Sequence, residues 1–370
     1  MKRLFVTGVP VIGEELIGRE EELKEIKHLL QTGQSVILIA PRRFGKTSLV
    51  LTLLKQLKKE GHYVADVDLF DIIDRRGLAE RITESTLENK RIYGFITKLK
   101  EGAKDLFKGI EVRETIENFE FVLSFGQPKA DISTLLREAF DLPEELAQRD
   151  NKDLFFFYDE FGDIKKFDGE EVLKLARSKF QRHRRVSYVF AGSYESVMKE
   201  IFADGKSAFY KFGRIVYLAE IAREDFTKYI DSKFQEEGIS ISGKIINQLL
   251  ERTRCHPYYT QLLCQHIYYL VKGEKTVVVE NDLLTGFENA FISERTYLEK
   301  VWEEMSGAPA QLTLLIKIAR REGNLYALEH QNGINVSRCL TSLIKRGIIR
   351  RSNDTYQIID PFFEYYLAKK

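Results

Sequence analysis

The residues whose types and spacing could do chemistry begin at Ala40, in the segment APRRFGKTS. It matches the pattern Gly-x-x-x-x-Gly-Lys-Ser/Thr at every defining position except the first, where Ala40 replaces glycine. In such a loop, successive backbone N–H groups surround a phosphate at the start of a helix. Gly45 permits the backbone turn, Lys46 would reach the β- and γ-phosphate oxygens, and the Thr47 hydroxyl would ligate Mg²⁺. We name this segment the phosphate loop and predict that all of it contacts a nucleotide: Ala40, Pro41, Arg42, Arg43, Phe44, Gly45, Lys46, Thr47 and Ser48.

A pair of acids follows a strongly apolar segment farther along the chain. The segment DLFFFYDE (153–160) predicts a buried strand that ends in Asp159 and Glu160. We expect Asp159 to bind Mg²⁺ through water or through Thr47, and Glu160 to orient and deprotonate an attacking water. Alone, such a pair is often only a solvated strand end. Together with the phosphate loop, it indicates ATP as the cofactor and ATP hydrolysis as the reaction.

Alternating strands and helices must position these groups. Apolar runs bounded by glycine or charged residues predict strands at 33–40, 62–71, 116–125, 153–160, 185–193 and 213–218. Helical spacing predicts helices at 49–61, 74–108 and 131–140, the last of which begins at an Asp131 cap. This order predicts an α/β fold of the P-loop type, with a mostly parallel sheet that carries helices on both faces.

The pattern changes after about residue 220. Helical periodicity dominates residues 223–297, with starts near Ala222, Ser242, His256 and Glu280, and predicts a small helical domain that we call the lid. Three helices at 309–321, 325–331 and 335–346 and two short strands within 346–360 then predict a winged helix-turn-helix. We therefore expect three domains, at 1–220, 221–305 and 306–370.

Composition excludes several classes of protein. The 370 residues are 44% hydrophobic and 31% charged, with 7 prolines, so an ordered core is expected. The heavy use of Lys and Glu is typical of thermophile proteins. Three cysteines without a Cys-x-x-Cys pair favour a reducing compartment, and His183, His256 and His266 lack the spacing of a zinc site. No signal peptide or membrane span is apparent, and we expect a soluble cytoplasmic protein.

A resemblance to a known family rests on residues 16–26, LIGREEELKEI. Gly18-Arg19-Glu20 followed by Glu22-Leu23 resembles the G-R-E-x-E-L box of the archaeal ATPase family, within the STAND branch of the AAA+ P-loop ATPases. The resemblance covers nearly the whole chain. Its other pieces are the phosphate loop, Asp159-Glu160, AGSYESVM (191–198), CHPYYTQLL (255–263) and DPFFEYYL (360–367).

The resemblance implies where the base and ribose of ATP lie. Ile17, Gly18 and Arg19 are expected near the adenine and ribose. Family members often carry Gly-x-Pro or Gly-His-Pro in the helical domain, with the proline against the base. This chain has Cys255-His256-Pro257, which lacks the glycine, and Pro257 is its candidate adenine contact.

The resemblance also implies two polar residues near the γ-phosphate. Ser193, at the end of a predicted strand, fits the first sensor of that phosphate, and the alternative is an ordinary helix cap. Arg214 occupies the region where relatives often place an arginine ahead of the last sheet strand. Arg214 has two possible roles: an arginine finger on the γ-phosphate, or an ion pair with a surface acid. The ion pair is favoured, because surface arginines are usually solvated or weakly paired.

The net charge of +1 conceals an uneven distribution. Residues 308–370 contain ten basic and five acidic side chains. Arg338, Lys345 and Arg346 on the third predicted helix, with Arg350 and Arg351 at the wing, would grip DNA phosphates, although winged helices also dock proteins. Three functions stay open: a DNA-associated motor or loader, a signalling switch with a protein partner, and a nucleotide-binding scaffold with negligible turnover. The oligomeric state stays open as well.

Overall fold

Strands and helices alternate through the first 220 residues. The computed structural model describes residues 4–89, 110–113, 122–125, 131–332, 334–352 and 355–370. In chain order the elements of this half are α1 (Glu20–Gln31), β1 (Val36–Ile39), α2 (Lys46–Lys59), β2 (Tyr63–Asp68), α3 (Arg75–Leu87), β3 (Ile110–Arg113), β4 (Val122–Phe125), α4 (Ile132–Asp150), β5 (Leu154–Asp159), α5 (Glu170–Phe180), β6 (Val186–Gly192), α6 (Glu195–Phe202) and β7 (Arg214–Tyr217).

The rest of the chain is almost entirely helical. Its elements are α7 (Arg223–Gln235), α8 (Gly243–Thr253), α9 (Pro257–Val271), α10 (Glu280–Ser293), α11 (Arg295–Ser306), α12 (Pro309–Arg320), α13 (Ala327–Asn332), α14 (Val336–Lys345), β8 (Ile349–Ser352), β9 (Thr355–Ile358) and α15 (Pro361–Ala368). Strands β8 and β9 pair as an antiparallel hairpin. The order of three helices and a hairpin agrees with the predicted elements, while their interpretation as a winged helix stays a prediction.

Five parallel strands form the main sheet, in the order β2-β5-β6-β1-β7. Every residue of β1, β5 and β6 is buried, as expected for parallel strands that are covered on both faces. Alternate residues enter different cores: Phe156 and Tyr158 pack with α3 to α6, whereas Phe155 and Phe157 pack with α1 and α2. The predicted parallel sheet with helices on both faces is thereby confirmed.

Some predicted boundaries need correction. The helix predicted at 131–140 continues to Asp150, because Leu142 and Leu146 extend its buried face across Pro143. Of the strand predicted at 116–125, Val122–Phe125 pairs with β3 in a separate antiparallel sheet, and residues 116–121 lie outside the described residues. The helix predicted at 74–108 is seen at Arg75–Leu87, and residues 90–109 lie outside the described residues.

The lid and the C-terminal helices and hairpin share one hydrophobic core. Buried residues from α7 to α15 form a single cluster, which also includes Leu4 and Phe5 from the start of the chain. Within it, the Tyr259 ring stacks on Phe362 with a centroid distance of 4.3 Å. The predicted domain boundary at 305 therefore passes through a continuous core. No helix in the described ranges is both long and apolar enough to span a membrane.

A close backbone approach at Gly213 tests the packing of the edge strand β7. A Cβ atom at this position would lie 2.4 Å from the Ser35 carbonyl oxygen, which accepts a hydrogen bond from Arg214 N. We expect Gly213→Ala to lower the free energy of unfolding by about 1–3 kcal/mol, because the obstructing atom is backbone. Urea unfolding would measure the loss. Gly205→Ala, with no atom within 4 Å of its new Cβ, is the matched control, and equal midpoints for the two variants would contradict this account.

Candidate nucleotide site

A cavity of about 520 Å³ lies between the carboxyl edge of the sheet and the lid. The last residues of neighbouring strands pair with each other: Ile39 of β1 with Gly192 of β6, and Asp68 of β2 with Asp159 of β5. The carboxyl ends of these strands therefore lie at one edge of the sheet. Ligands of open parallel sheets bind at this edge, where the loops after the strands converge. The cavity is lined by residues 6–11, 15–17, 19, 42–48, 160, 193, 221, 226, 257, 258 and 261.

The phosphate loop has the backbone shape that an anion site needs. Gly45 has a φ of 84°, in the left-handed region that glycine adopts without strain, and Arg43 has a φ of 64°. Helix α2 begins immediately afterwards, at Lys46, with no side chain capping its first N–H groups. These groups are therefore available to an anion at the positive end of the helix dipole.

Lys46 is buried at the centre of the site. Its ammonium donates hydrogen bonds to Ala40 O at 3.1 Å, to Pro41 O at 3.3 Å and to Ser193 Oγ at 2.9 Å. Burial lowers the pKa of Lys46, while the negative charges of Glu160 and Asp159 oppose that shift. A phosphate that entered the loop would offer this buried cation a full counter-charge.

Thr47 and Asp159, the two residues predicted to hold Mg²⁺, lie side by side. The Thr47 hydroxyl donates to Asp159 Oδ2 at 2.5 Å, and burial raises the pKa of this carboxyl. A hydroxyl and a carboxylate side by side fit Mg²⁺, which prefers oxygen ligands and takes only one or two carboxylates from proteins. The described residues contain no group of three or more His, Cys, Asp or Glu able to hold a metal. Phosphate oxygens and water would therefore have to complete the coordination.

Glu160 is held by Ser193. The Ser193 N–H donates to Glu160 Oε2 at 3.2 Å, and the Ser193 hydroxyl donates to Glu160 Oε1 at 2.5 Å. Since Lys46 already donates to the same hydroxyl oxygen, the single hydroxyl proton is directed to Glu160. Lys46, Ser193 and Glu160 thus form one hydrogen-bonded chain beside the Thr47–Asp159 pair.

Arg214 does not join this group. It is the first residue of β7 and pairs in register with Val36, the first residue of β1, whereas the phosphate loop follows the last residue of β1. Its guanidinium lies 3.5 Å from Glu25 and is 61% exposed. Because parallel strands keep their amino ends at the opposite edge of the sheet, Arg214 cannot reach the phosphate loop of its own chain. The surface ion pair is the reading that the structure supports.

The box at residues 16–23 contributes less to the cavity than the resemblance implies. Ile17 and Arg19 line the cavity, but the Arg19 guanidinium is buried and donates to Ala219 O at 2.8 Å while it pairs with Glu22 at 2.6 Å. Gly18 has a φ of 56°, and a Cβ there would lie 2.8 Å from Asp225 Oδ2. Glycine is needed here because α7 approaches the backbone, and Gly18 itself does not line the cavity.

Pro257 lines the cavity although the glycine before its motif is missing. It begins α9, and its neighbours Tyr258 and Gln261 line the same wall. This position agrees with an adenine contact, which stays a prediction.

The segment at residues 6–11 was missed by sequence reasoning. It lines the cavity and is fixed at both ends. Phe5 is buried against Phe234, with ring centroids 5.1 Å apart, and Val11 N donates to Ser48 Oγ at 3.1 Å. The signal available in the sequence was the apolar run around Gly8 and Pro10, which is short and has no regular period.

His256 is a buried histidine where the lid meets the phosphate loop. Its ring lies edge-on to Phe44, with centroids 4.9 Å apart, and its Nδ1 has no hydrogen-bond partner within the described chain. Burial, reinforced by the positive charges of Arg254 and Arg43, lowers the pKa of His256 from 6.5 to about 3. The imidazole is therefore neutral in the folded protein at pH 7.

This shift makes stability depend on pH with a definite sign. Below pH 6.5 His256 is protonated in the unfolded chain, whereas in the folded protein it stays neutral down to about pH 3. Protonation therefore favours the unfolded chain, and the free energy of unfolding falls as the pH falls from 6.5 to about 3. Between pH 7 and pH 5 the wild type should lose about 2 kcal/mol of unfolding free energy relative to His256→Gln. Urea titrations of both proteins across this range measure the difference, and parallel pH curves would contradict it.

Fold and site define a P-loop ATPase. The sequence family described as an ATPase domain predominantly from Archaea matches residues 16–259, about two thirds of the chain. The chain therefore belongs to this archaeal ATPase family, and the resemblance predicted from the motifs is confirmed. No curated protein matches the chain.

Solved structures share the fold over nearly the full length. A Walker-type ATPase of Pyrococcus abyssi superposes with a TM-score of 0.72 at 18% identity, covering 99% of both chains. The ORC2 protein of Aeropyrum pernix, solved as ADPNP and ADP complexes, has a TM-score of 0.64 at 13% identity, covering 99% of this chain and 95% of its own. The ORC1 protein of the same organism, in complex with DNA, has a TM-score of 0.50 at 14% identity, covering 96% and 93%. At these identities the likeness concerns the fold.

Proposed function

We propose that this protein binds ATP with Mg²⁺ and hydrolyses it, and that the cycle moves the lid and the C-terminal helices and hairpin. One observation carries the proposal: Lys46, Thr47, Asp159, Glu160 and Ser193, from three separate segments, are joined by hydrogen bonds, and all of them except Asp159 line a single cavity. Family membership supports the same reaction.

Each side chain has a role that follows from its geometry. The uncapped N–H groups of α2 and the Lys46 ammonium would bind the β- and γ-phosphates. Thr47 and Asp159 would hold Mg²⁺, which neutralises phosphate charge when bound. Glu160 would accept a proton from the attacking water, and the Ser193 hydroxyl, which donates to Glu160 here, would turn to donate to the γ-phosphate. Both acids lie at strand ends in the rigid sheet, which keeps them in position.

The same cavity supports a conformational role. The phosphate loop forms one wall, and Phe226 of α7 and Pro257 of α9 belong to the other, so a nucleotide would touch both the sheet domain and the lid. Binding would favour the conformation in which these walls are close, and loss of the γ-phosphate would relax it. Because the lid shares a core with the C-terminal helices and hairpin, movement of one carries the other.

Two substitutions separate binding from hydrolysis. Lys46→Ala should weaken ATP binding about 10- to 100-fold, because it removes charge-assisted hydrogen bonds to phosphate. Glu160→Gln should keep the affinity and lower turnover about 10²- to 10⁴-fold, because it removes the general base. Isothermal titration calorimetry and a phosphate-release assay measure the two quantities.

The control for these variants is Lys174→Ala, which removes an exposed lysine of α5 that pairs with Glu170 away from the cavity. It should match the wild type in both assays. The assignment fails if Lys46→Ala binds and hydrolyses ATP normally. Equal losses of binding and turnover in Glu160→Gln would refute the role of that carboxylate.

DNA is the partner that we propose for the C-terminal helices and hairpin. Arg338 and Lys345 lie on α14, Arg346 follows it, and Arg350 and Arg351 lie on β8, so the basic residues share the third helix and the hairpin. This arrangement is suited to phosphate contacts by a winged helix. A protein-docking switch of the STAND type is the alternative, supported by the modest excess of positive charge in this part of the chain.

Part of this basic face contacts the sheet domain. Arg350 pairs with Glu220, just after β7, and donates to Gln357 Oε1 at 2.8 Å. The Ser196 hydroxyl of α6 donates to Lys345 O at 2.6 Å. Binding of DNA by Arg350 would therefore require release from Glu220, which connects DNA affinity to the position of the C-terminal helices.

Salt-dependent duplex binding tests this partner. Replacing Arg350 and Arg351 together by alanine should weaken binding and reduce the slope of log affinity against log salt by about 2, one unit for each lost phosphate contact. Glu220→Gln should strengthen binding, because Arg350 loses its competing carboxylate. Fluorescence anisotropy from 50 to 200 mM salt measures both effects. Absence of salt-dependent binding would favour the protein-docking alternative, which capture of a partner by ATP-loaded Glu160→Gln protein would test.

A further inference from the structure

Arg43 belongs to the phosphate loop, but its side chain leaves the loop and enters the lid. Its Nη1 donates to Glu294 Oε2 at 2.7 Å. Its guanidinium carbon lies 4.1 Å from the centroid of the Tyr258 ring and 4.8 Å from that of Tyr297. Two aromatic faces and a carboxylate thus surround one cation, an arrangement that favours arginine over any other residue. We call these four residues the arginine clamp.

The buried carboxylate of Glu294 is stabilised by the other residues of the clamp. It lies between α10 and α11, and its side chain is only 9% exposed. One carboxylate oxygen accepts from Arg43, and the other accepts from the Tyr258 hydroxyl at 2.5 Å. A buried carboxylate without such partners is strongly unfavourable, so the lid has a strong preference for Arg43 in this position.

The backbone of Arg43 gives the clamp a consequence for the phosphate loop. With a φ of 64°, this residue is in a left-handed conformation that non-glycine residues rarely adopt. Such conformations persist where surrounding contacts impose them. The clamp supplies those contacts from the lid at a point where residues 42–48 of the loop, Arg43 included, line the cavity.

The clamp also continues toward the end of the chain. Tyr259, the neighbour of Tyr258 on α9, donates its hydroxyl to Asp360 Oδ2 at 2.5 Å. Asp360 in turn caps α15 by accepting from Phe362 N and Phe363 N, each at 2.9 Å. Two successive tyrosines therefore join the phosphate loop on one side and the C-terminal helix on the other.

We propose that Arg43 is a positioning residue: the arginine clamp fixes the shape of the phosphate loop against the lid, and thereby couples nucleotide binding to docking of α9 to α11. The proposal rests on the nucleotide binding proposed above. A clamp that stabilises the binding shape of the loop must itself be stabilised when nucleotide binds, because coupling between two sites is reciprocal. Lid docking and nucleotide affinity are then two measures of one interaction.

Glu294→Gln tests the clamp without touching the cavity, because Glu294 is not among its lining residues. The substitution keeps the size of the side chain and removes its charge. The KM for ATP and the dissociation constant for ADP should rise about 5- to 150-fold, the usual range of coupling between sites, with kcat within about twofold. The split is expected because Lys46, Asp159 and Glu160 are unchanged.

The matched control is Glu299→Gln on α11. Glu299 lies five residues after Glu294 and pairs with Arg295 at 2.8 Å in an exposed ion pair. Glu299→Gln should leave the KM for ATP and the dissociation constant for ADP unchanged. If Glu294→Gln does not fold, Tyr297→Leu serves instead, because Tyr297 is 39% exposed and its replacement removes one aromatic face of the clamp.

Two further measurements separate positioning from a merely structural role. Arg43→Ala combined with Glu294→Gln should bind ADP no more weakly than the worse single variant, since both remove one interaction. Hydrogen exchange at the α10–α11 junction should slow when ADP binds the wild type, and this protection should be smaller in Glu294→Gln.

The proposal is overturned if Glu294→Gln binds ADP within twofold of the wild type, if the two losses simply add, or if ADP protects the junction equally in both proteins. Its failure is distinct from that of the proposed function. A wild type that binds no nucleotide removes the proposed function, whereas a wild type that binds and hydrolyses ATP, with Glu294→Gln behaving identically, removes the clamp alone.

Discussion

The burial of one cation, the Lys46 ammonium, constrains the rest of the site. A charge that is removed from water must be surrounded by acceptors, and here two backbone carbonyls and the Ser193 hydroxyl provide them. Glu160 and Asp159 supply the nearby negative charge. These groups come from β5, β6 and the loop after β1, so the order and register of three neighbouring strands are what make the site possible.

The lid depends on the same loop through a second cation. Arg43 leaves the loop for a carboxylate 251 residues away, and neighbouring tyrosines extend the contact to the final helix. The phosphate loop therefore has two functions: residues 42–48 line the cavity, and the Arg43 side chain also binds the lid. Because α7 to α15 share one core, a change in the conformation of the loop would be felt by the lid and by the C-terminal helices and hairpin.

The local parts of the molecule were predictable, and the long-range parts were not. The phosphate loop, the acidic pair and most strands follow from short patterns, because burial and backbone geometry act within a few residues. The helix through Pro143 was predicted too short, since tertiary burial of Leu142 and Leu146 outweighs a local breaker. Arg214 lies in the strand that the sequence predicts for it, but at the end that pairs with Val36, at the opposite edge of the sheet from the loop.

By itself, the sequence determined the chemistry: a phosphate loop, two acids at a strand end, and an archaeal ATPase family whose match covers residues 16–259. Only the tertiary structure decided which groups meet. It joined Ser193 to Glu160, brought residues 6–11 into the cavity wall and paired Arg43 with Glu294. The reason is physical: backbone preferences are local and are visible in neighbouring letters, whereas partners of buried charges are set by strand order and packing between distant segments.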